Sequence, residues 1–349
     1  MVGSQENRSD EVVHKKGQAG MKKAAVINEN PARCLEVYGA GRYERLQEVC
    51  DLVPGILSAT QMEERIDELA HVEALFTTWG IPQLEPILDR LPRLAAVFYA
   101  AGSVRSFAPA LLERDIIVVS SWAANGIPVA EFTVAQILLA CKGYFHNTRD
   151  YTGPDARSKL HRGAGVFGET VGLIGIGVIG HAVIERLKSF ELRVIVHDPF
   201  LPSEEAASLG VEKVSLDELF AQSYVISNHL PNLEHLRGLL NGDHFERMRP
   251  DASFINTGRG AQIEEADLIR VWSERPDLTA LLDVTFPEPP VAVSPLYELP
   301  NVHLSSHIAG SMNDEVVRMA DFVIEEFGRW ERGEPLLYQV TAERLETMA

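Results

Sequence analysis

Three side chains in the second half of the sequence could act together on a carbonyl group. Arg259, Glu288 and His307 each follow, by a few residues, a run rich in aliphatic and β-branched residues. A guanidinium can clamp a carboxylate, an imidazole can donate a proton to the adjacent carbonyl oxygen, and a carboxylate can orient that imidazole. Taken singly, the three could equally be a surface ion pair, a loop carboxylate and a buried structural histidine. Because parallel strands end at one edge of a sheet, their joint arrangement predicts one cleft.

A glycine-rich turn predicts a site for the pyrophosphate of a dinucleotide. An apolar run at 170–174 precedes Gly175, Gly177 and Gly180, and a helical pattern follows. Gly175 allows a tight turn, Gly177 lets the backbone approach the phosphates, and Gly180 lets the helix pack close to the strand. The free amides and the positive end of the helix dipole then face the anion.

An acidic residue indicates which dinucleotide fits. Asp198 ends the next β-branched run, 198 − 180 = 18 residues after the last glycine. A carboxylate at this place accepts hydrogen bonds from the adenosine ribose hydroxyls and repels a 2′-phosphate. Pro199 and Phe200 offer no cation to receive that phosphate. The sequence therefore favours NAD over NADP.

A second GxGxxG match, Gly163, Gly165 and Gly168, is interpreted as a decoy. It follows the polar residues Lys159, His161 and Arg162 instead of a strand, and it leads into a strand instead of a helix. The pattern has predictive value only with a strand before it and a helix after it. We expect these glycines to form a turn.

Alternating apolar runs and helical patterns predict two Rossmann-like α/β domains with parallel sheets and an active-site cleft between them. Strands are expected at 24–27, 74–77, 95–99 and 116–119, and then at 171–174, 193–197, 225–227, 253–256, 280–283 and 303–305. Helices are expected at 61–69, 84–91, 129–146 and 313–331.

The last predicted helix makes the first domain discontinuous. Since it follows the second sheet and rises ~1.5 Å per residue, it is long enough to return to the first domain. We expect a substrate-binding, flavodoxin-like domain at 21–126 plus 310–349, and an NAD-binding Rossmann domain at 127–309. Residues 1–20 are expected to be a disordered extension or a non-native remnant, with Met21 as a candidate natural start.

Composition narrows the class of protein. The 349 residues are 46% hydrophobic and 23% charged, as in soluble globular proteins, and the net charge of −18 comes with no Lys/Arg cluster for nucleic acid or an anionic membrane. Cys34, Cys50 and Cys141 form no CxxC pair, so we expect reduced thiols and no metal site. No signal-peptide pattern and no continuous run of ~18 apolar residues is present, which predicts a cytoplasmic protein.

Three motifs in order resemble the D-isomer-specific 2-hydroxyacid dehydrogenase family. They are Asn256-Thr257-Gly258-Arg259-Gly260, Asp283-Val284-Thr285-Phe286-Pro287-Glu288-Pro289 and His307-Ile308-Ala309-Gly310. Their spacings, 283 − 259 = 24 and 307 − 288 = 19, agree with the family's usual layout. The resemblance is close from about residue 95 to 335 and looser from residue 22.

The resemblance implies a role for each residue of these motifs. His307 would donate the proton to a 2-oxo group, Glu288 would hydrogen-bond its imidazole and stabilise the charged form, and Arg259 would orient the substrate. Asp283 would bind the nicotinamide amide. The implied cofactor contacts are Gly175, Gly177, Val178, Ile179, Gly180, Asp198, Pro231, Thr257, Gly258, Arg259, Asp283, His307 and Gly310.

The resemblance also extends to the first domain. Ala101, Gly102 and Ser103 are similar to a family loop whose backbone amides receive the substrate carboxylate, although a plain turn between strand and helix would look the same. Trp79, Trp122 and Phe286 could line the substrate pocket, but large aromatic residues more often belong to a core. The family's dimers suggest a homodimer formed through 129–146.

Some positions depart from the family pattern. Val178 stands where relatives often carry an arginine that contacts a phosphate, and Ser306 replaces a common proline before the histidine. Neither change removes a catalytic group.

Three functions remain open at this point. The first is an NAD-dependent oxidoreductase that interconverts a small 2-oxo acid, such as glyoxylate or hydroxypyruvate, and its D-2-hydroxy acid. The second is an NAD-responsive binding protein resembling a corepressor. The third is a phosphite dehydrogenase; formate oxidation is disfavoured because formate enzymes carry glutamine in place of Glu288.

Overall fold

The computed structural model describes residues 20–157 and 163–347 and contains two largely parallel sheets. The expectations for residues 1–19 and for Lys159, His161 and Arg162 lie outside the described residues. The strands are β1 Lys23–Ile27, β2 Asp51–Leu57, β3 Ala74–Thr77, β4 Ala96–Tyr99, β5 Ile117–Ser120, β6 Thr170–Ile174, β7 Arg193–His197, β8 Glu212–Lys213, β9 Val225–Asn228, β10 Ser253–Asn256, β11 Thr279–Leu282, β12 Val302–Leu304 and β13 Gln339–Val340.

The strand order confirms the predicted α/β architecture. The first sheet runs β13-β5-β4-β3-β1-β2 and the second runs β12-β11-β10-β9-β6-β7-β8. All pairs are parallel except β13, which lies antiparallel to β5. The carboxyl ends of β10, β11 and β12 are therefore neighbours at one edge.

The α-helices cover the sheets and connect successive strands. They are α1 Pro31–Val37, α2 Arg42–Val49, α3 Ala59–Glu64, α4 Ile66–Leu69, α5 Ala108–Leu112, α6 Trp122–Cys141, α7 Tyr144–Asp150, α8 Val178–Leu187, α9 Ser203–Leu209, α10 Leu216–Gln222, α11 Gly242–Glu246, α12 Glu265–Glu274, α13 Val317–Glu331 and α14 Ala342–Thr347.

Two predicted helices were placed wrongly. The segment 84–91 is not an α-helix; it contains only a 3₁₀ turn, Leu88–Arg90. Pro86 lacks the amide that a helix interior needs, which accounts for the difference. The predicted helix 129–146 is two helices, α6 and α7, because Gly143 adopts a left-handed φ of 68° between them.

Helix α6 starts seven residues before the predicted position and links the two domains. It continues through Pro128, and its amino-terminal Ala124 packs in the core of the first domain while Ala130 and Ile137 pack in that of the second. Burial against both cores offsets the helical hydrogen bond that the proline removes. By length and composition α6 could cross a membrane, but half of its apolar window is buried, and core helices of soluble proteins pass the same test.

Helix α13 returns to the first domain, as the sequence predicts. The ring of Phe327 lies 5.2 Å from that of Phe76 and 5.5 Å from that of Phe98, on β3 and β4. Strand β13 then joins the edge of the same sheet beside β5.

The three cysteines are buried and free, and burial raises the pKa of each thiol to about 12, as expected for thiols with packing roles.

Candidate active site

His307 and Glu288 lie in direct contact at the carboxyl edge of the second sheet. His307 Nδ1 is 2.7 Å from Glu288 Oε1, and their side chains remain 47% and 40% exposed. This contact leaves Nε2, the other ring nitrogen, to face a ligand. An imidazole fixed on one side by a carboxylate can transfer a proton on its other side.

The loop that carries His307 is anchored by Asp283, which is buried at the end of β11. The Asp283 carboxylate accepts hydrogen bonds from Ser305 Oγ at 2.7 Å, the Ile308 amide at 2.8 Å and the Ala309 amide at 2.9 Å. The His307 amide also donates to the Asp283 carbonyl at 3.0 Å, and His307 takes a left-handed φ of 59°. Since an ionised carboxylate has about four acceptor positions, one remains for the predicted nicotinamide amide.

Arg259 is fixed through its own backbone. Its amide donates to Gln262 Oε1 at 3.2 Å, and its carbonyl accepts from Asn256 Nδ2 at 3.1 Å. Its guanidinium donates to the Gly258 carbonyl at 2.7 Å. Burial lowers the pKa of Arg259, and the nearby charge of Glu288 opposes that effect. Glu288 thus contacts His307 directly and lies near enough to Arg259 for its charge to act on the guanidinium.

The predicted substrate loop presents unused amides. The Ala101 and Gly102 carbonyls accept from Ser120 Oγ at 2.8 and 2.6 Å, and the Ala100 carbonyl accepts from Thr78 Oγ1 at 2.7 Å. Among the described residues, the amides of 101–104 have no acceptor. A turn whose carbonyls are fixed and whose amides are free is suited to bind a carboxylate.

Asn125 connects this loop to the segment that follows His307. Its Oδ1 accepts the Ser311 amide at 3.0 Å, and a Cβ built on Gly310 would lie 3.3 Å from the same atom. A Cβ on Gly102 would lie 3.4 Å from Asn125 Nδ2. The amide loop and the segment that follows His307 thus share one side chain, and both face the same cleft.

The first glycine motif forms the strand, turn and helix that the sequence predicts for a dinucleotide site. Gly175 has a φ of 83°, and a Cβ there would lie 3.0 Å from the backbone of His229. A Cβ on Gly180 would lie 2.6 Å from the Gly175 carbonyl oxygen, so strand and helix approach closely. A Cβ on Gly177 would meet nothing within 4 Å. That open space lies at the start of α8, where Val178 and Ile179 carry amides without helical partners.

The decoy motif forms a turn, as predicted. Gly163, Gly165 and Gly168 have φ of 65°, 87° and 71°, and β6 begins at Thr170.

Asp198 ends β7 and closes this cradle. Its Oδ2 accepts the Ile176 amide within the glycine turn at 2.7 Å, and its Oδ1 accepts the Phe200 amide at 2.8 Å. The carboxylate thus sets the shape of the turn and places a negative charge beside it.

We expect Asp198→Asn to lower the preference for NADH over NADPH by at least about 10-fold, measured as the ratio of the two kcat/KM values. The variant loses both the charged hydrogen bonds to the ribose and the repulsion of the 2′-phosphate. Glu212→Gln removes the same charge from the adjacent exposed β8 and should leave the ratio unchanged. An equal ratio in Asp198→Asn and the wild type would contradict this role.

A buried polar chain lies under the cofactor cradle. Thr257 Oγ1 is 3.3 Å from Thr133 Oγ1 and 3.5 Å from His229 Nδ1, and His229 Nε2 is 3.0 Å from Ser227 Oγ. Burial lowers the pKa of His229 from 6.5 to about 4. This histidine is therefore neutral near pH 7 and orients Thr257, which sequence reasoning placed at the cofactor.

The low pKa of His229 makes the protein less stable in acid. Below pH 6.5 the His229 imidazole is protonated in the unfolded chain, whereas in the folded chain it stays neutral down to about pH 4. This contribution is complete above pH 6.5 and is lost towards pH 4, by up to about 3 kcal/mol. Urea unfolding of wild type and His229→Asn across this range should show a wild-type free energy of unfolding that falls more steeply with acid. Parallel plots of the free energy of unfolding against pH for the two proteins would refute this effect of His229.

Other residues of the site were not identified from the sequence. Gln262 is buried and donates to the Leu230 and Pro231 carbonyls, both at 2.7 Å, while its Oε1 accepts from Asn228 Nδ2 at 2.6 Å. A Cβ on Gly258 would lie 3.0 Å from Gln262 Oε1, so the Arg259 turn and the predicted Pro231 contact depend on one amide side chain. The available signal was that Asn228 and Asn256, in register on β9 and β10, both end their strands.

The described residues contain no group of three His, Cys, Asp or Glu side chains that could bind a metal ion.

Comparisons with known proteins agree with this geometry. Residues 134–309 match the family model described as D-isomer specific 2-hydroxyacid dehydrogenase, NAD binding domain. A D-3-phosphoglycerate dehydrogenase from Archaeoglobus fulgidus is 32% identical over 285 residues, which cover 81% of this chain and 54% of that protein. A glyoxylate reductase from Korarchaeum cryptofilum is 28% identical over 274 residues, covering 77% of this chain and 82% of that protein.

The fold has close counterparts among solved structures. The apo form of Rhodotorula graminis D-mandelate dehydrogenase superposes with a TM-score of 0.76 at 21% identity, covering 92% of this chain and 98% of that one. The chain spans about half the length of the phosphoglycerate dehydrogenases that it matches. With the matched NAD-binding model and the arrangement of Arg259, Glu288 and His307, the chain belongs to the D-isomer-specific 2-hydroxyacid dehydrogenase family and binds NAD.

Proposed function

We propose that this protein is an NAD-dependent oxidoreductase that interconverts a small 2-oxo acid and its D-2-hydroxy acid, as a glyoxylate or hydroxypyruvate reductase does. The observation that supports it most directly is the 2.7 Å contact between His307 and Glu288 beside Arg259. The free amides of the substrate loop supply the remaining requirement, a site for the acid's carboxylate.

Each part of the site has a separate role in carbonyl reduction. The amides of 101–104 bind the carboxylate, and Arg259 bridges the carboxylate and the 2-oxo oxygen. His307 donates a proton from Nε2 to that oxygen while Glu288, on Nδ1, stabilises the imidazolium before transfer. The glycine turn at 175–180 would hold the dinucleotide, which would supply a hydride for C2. In the reverse direction His307 accepts the hydroxyl proton.

The proposal is tested by following NADH oxidation with glyoxylate, hydroxypyruvate, pyruvate and longer 2-oxo acids, and by chiral analysis of the product. We expect turnover of at least one acid and a D-product. A chain that binds NADH but oxidises none of it across this panel would refute the proposal and favour an NAD-responsive binding protein; turnover of phosphite would favour the third function. The homodimer and the cytoplasmic location stay predictions.

A further inference from the structure

A segment that follows α13, residues 336–347, runs along the edge of the first sheet beside β5. The buried carboxylate of Glu326 in α13 accepts the Leu337 amide at 2.8 Å and the Tyr338 amide at 3.0 Å. The Tyr338 carbonyl then accepts the amide of Ser120, the last residue of β5, at 3.2 Å. Because hydrogen bonds to a buried carboxylate are strong, this segment has a defined position relative to β5.

Ser120 connects the segment to the substrate loop. Its Oγ lies 2.8 Å from the Ala101 carbonyl oxygen and 2.6 Å from the Gly102 carbonyl oxygen. The side chain is buried, so these two acceptors share its one hydroxyl proton. Since the amide of the same residue pairs with Tyr338, a shift of the segment would also move the carbonyls that fix the loop.

Arg105 makes a second connection, on the other side of the loop. Its guanidinium donates a hydrogen bond to the Leu345 carbonyl in α14, 240 residues away in sequence. The Leu345 side chain packs against the core of the first domain, which fixes the position of that carbonyl. The amides of 101–104 thus lie between two contacts with the 336–347 segment, one through Ser120 and one through Arg105.

Helix α14 also packs on the start of α6. The Arg344 guanidinium lies 5.3 Å from the centroid of the Trp122 ring, and its Nη1 donates to the Gln339 carbonyl at 2.9 Å. The ring of Tyr338 meets the same tryptophan edge to face, with 5.7 Å between centroids. Trp122 is the first residue of α6, and Asn125, one turn later, approaches the substrate loop. The segment therefore supports both the loop and the helical turn beside it.

We propose that Arg105 is a positioning residue for the 2-oxo acid: its bond to Leu345 couples α14 to the substrate loop and keeps the amides of 101–104 in place to receive the carboxylate. This inference rests on the proposed function and adds to it a residue that acts through the loop without contacting the acid. A loop that is ordered before binding avoids the entropy cost of being fixed by its ligand.

The first experiment measures kcat and both KM values for Arg105→Ala. We expect the KM for the best 2-oxo acid to rise by roughly 10-fold, the value of one hydrogen bond from a charged donor. The kcat and the KM for NADH should stay at wild-type values, because the carboxylate contacts weaken equally in the ground state and the transition state. Arg105→Lys keeps a donor and should recover most of the loss.

The matched control is Arg114→Ala, which removes another exposed arginine of the first domain, one that pairs with Asp89. It should leave the KM for the acid unchanged. An unchanged KM in Arg105→Ala, or the same rise in both alanine variants, would overturn the inference and leave the proposed function intact.

The second experiment tests whether Arg105 acts through α14. A chain that ends at Val340 keeps β13 and lacks α14, and it should show the same rise in KM for the acid as Arg105→Ala. Arg105→Ala in this shortened chain should add nothing further, since both changes break one coupling. Additive effects of the two changes, or an effect of Arg105→Ala alone, would overturn the coupling.

Hydrogen exchange provides a readout that does not depend on activity. In the segment 99–108 the amides of Ala100, Phe107 and Ala108 are hydrogen-bonded, and they should exchange faster in Arg105→Ala and in the shortened chain than in wild type. Exchange in α8 should be unchanged. Wild-type exchange at 99–108 in both variants would overturn the inference, whereas faster exchange in a protein that reduces no 2-oxo acid would refute the proposed function and retain the coupling.

Discussion

Replacing His307 with glutamine is expected to lower kcat for 2-oxo acid reduction by roughly 10²- to 10⁴-fold, the usual contribution of a positioned general acid. The glutamine side-chain amide can donate a hydrogen bond to Glu288 but cannot supply a proton to an oxyanion near pH 7. The loop itself should persist, because Asp283 anchors it through Ser305 and two backbone amides. Steady-state NADH oxidation at saturating acid measures the loss.

The control for this variant is His71→Gln, an exposed histidine of the first domain outside the cleft. It should retain wild-type turnover. If the His307 variant kept more than about a tenth of wild-type kcat with hydride transfer rate-limiting, proton donation would have to come from another group.

The second large effect concerns Arg259. We expect Arg259→Lys to lower kcat/KM by roughly 10²- to 10³-fold, because a single ammonium cannot bridge the carboxylate and the developing oxyanion as a planar fork does. Gln262 and Asn256 hold the backbone on both sides of the position, so the turn should form equally well with lysine. The measurement is kcat/KM for the best acid of the panel.

Arg270→Lys is a suitable comparison, since Arg270 is exposed in α12 and pairs with Glu246. It should have no effect on kcat/KM. Comparable activity of Arg259→Lys and wild type would show that the guanidinium does not contact the reacting carbonyl.

The parts of the site that sequence could predict are those encoded by local patterns. Gly175 and Gly180 meet steric demands that a side chain would violate, and Arg259 and His307 follow their strands in the order that a parallel sheet requires. Strand β2 escaped prediction because Pro54 and Gly55 interrupt it at a sheet edge where such residues are tolerated. Strands β8 and β13 have two residues each, too few for any pattern.

The supporting contacts could not be predicted because they join distant segments. Asn125 and Ser311 are 186 residues apart in sequence, and Thr133 meets Thr257 across 124 residues. The type of a single residue does not predict such a contact until the order of the strands in the sheet is known.

Helix α6 passes without interruption from the core of the first domain into that of the second, which limits how the two domains can move relative to each other. A continuous helix resists bending more than an irregular linker does, because each turn is held by backbone hydrogen bonds. Flexure concentrates near Pro128, where the missing amide leaves a carbonyl of the preceding turn without its partner.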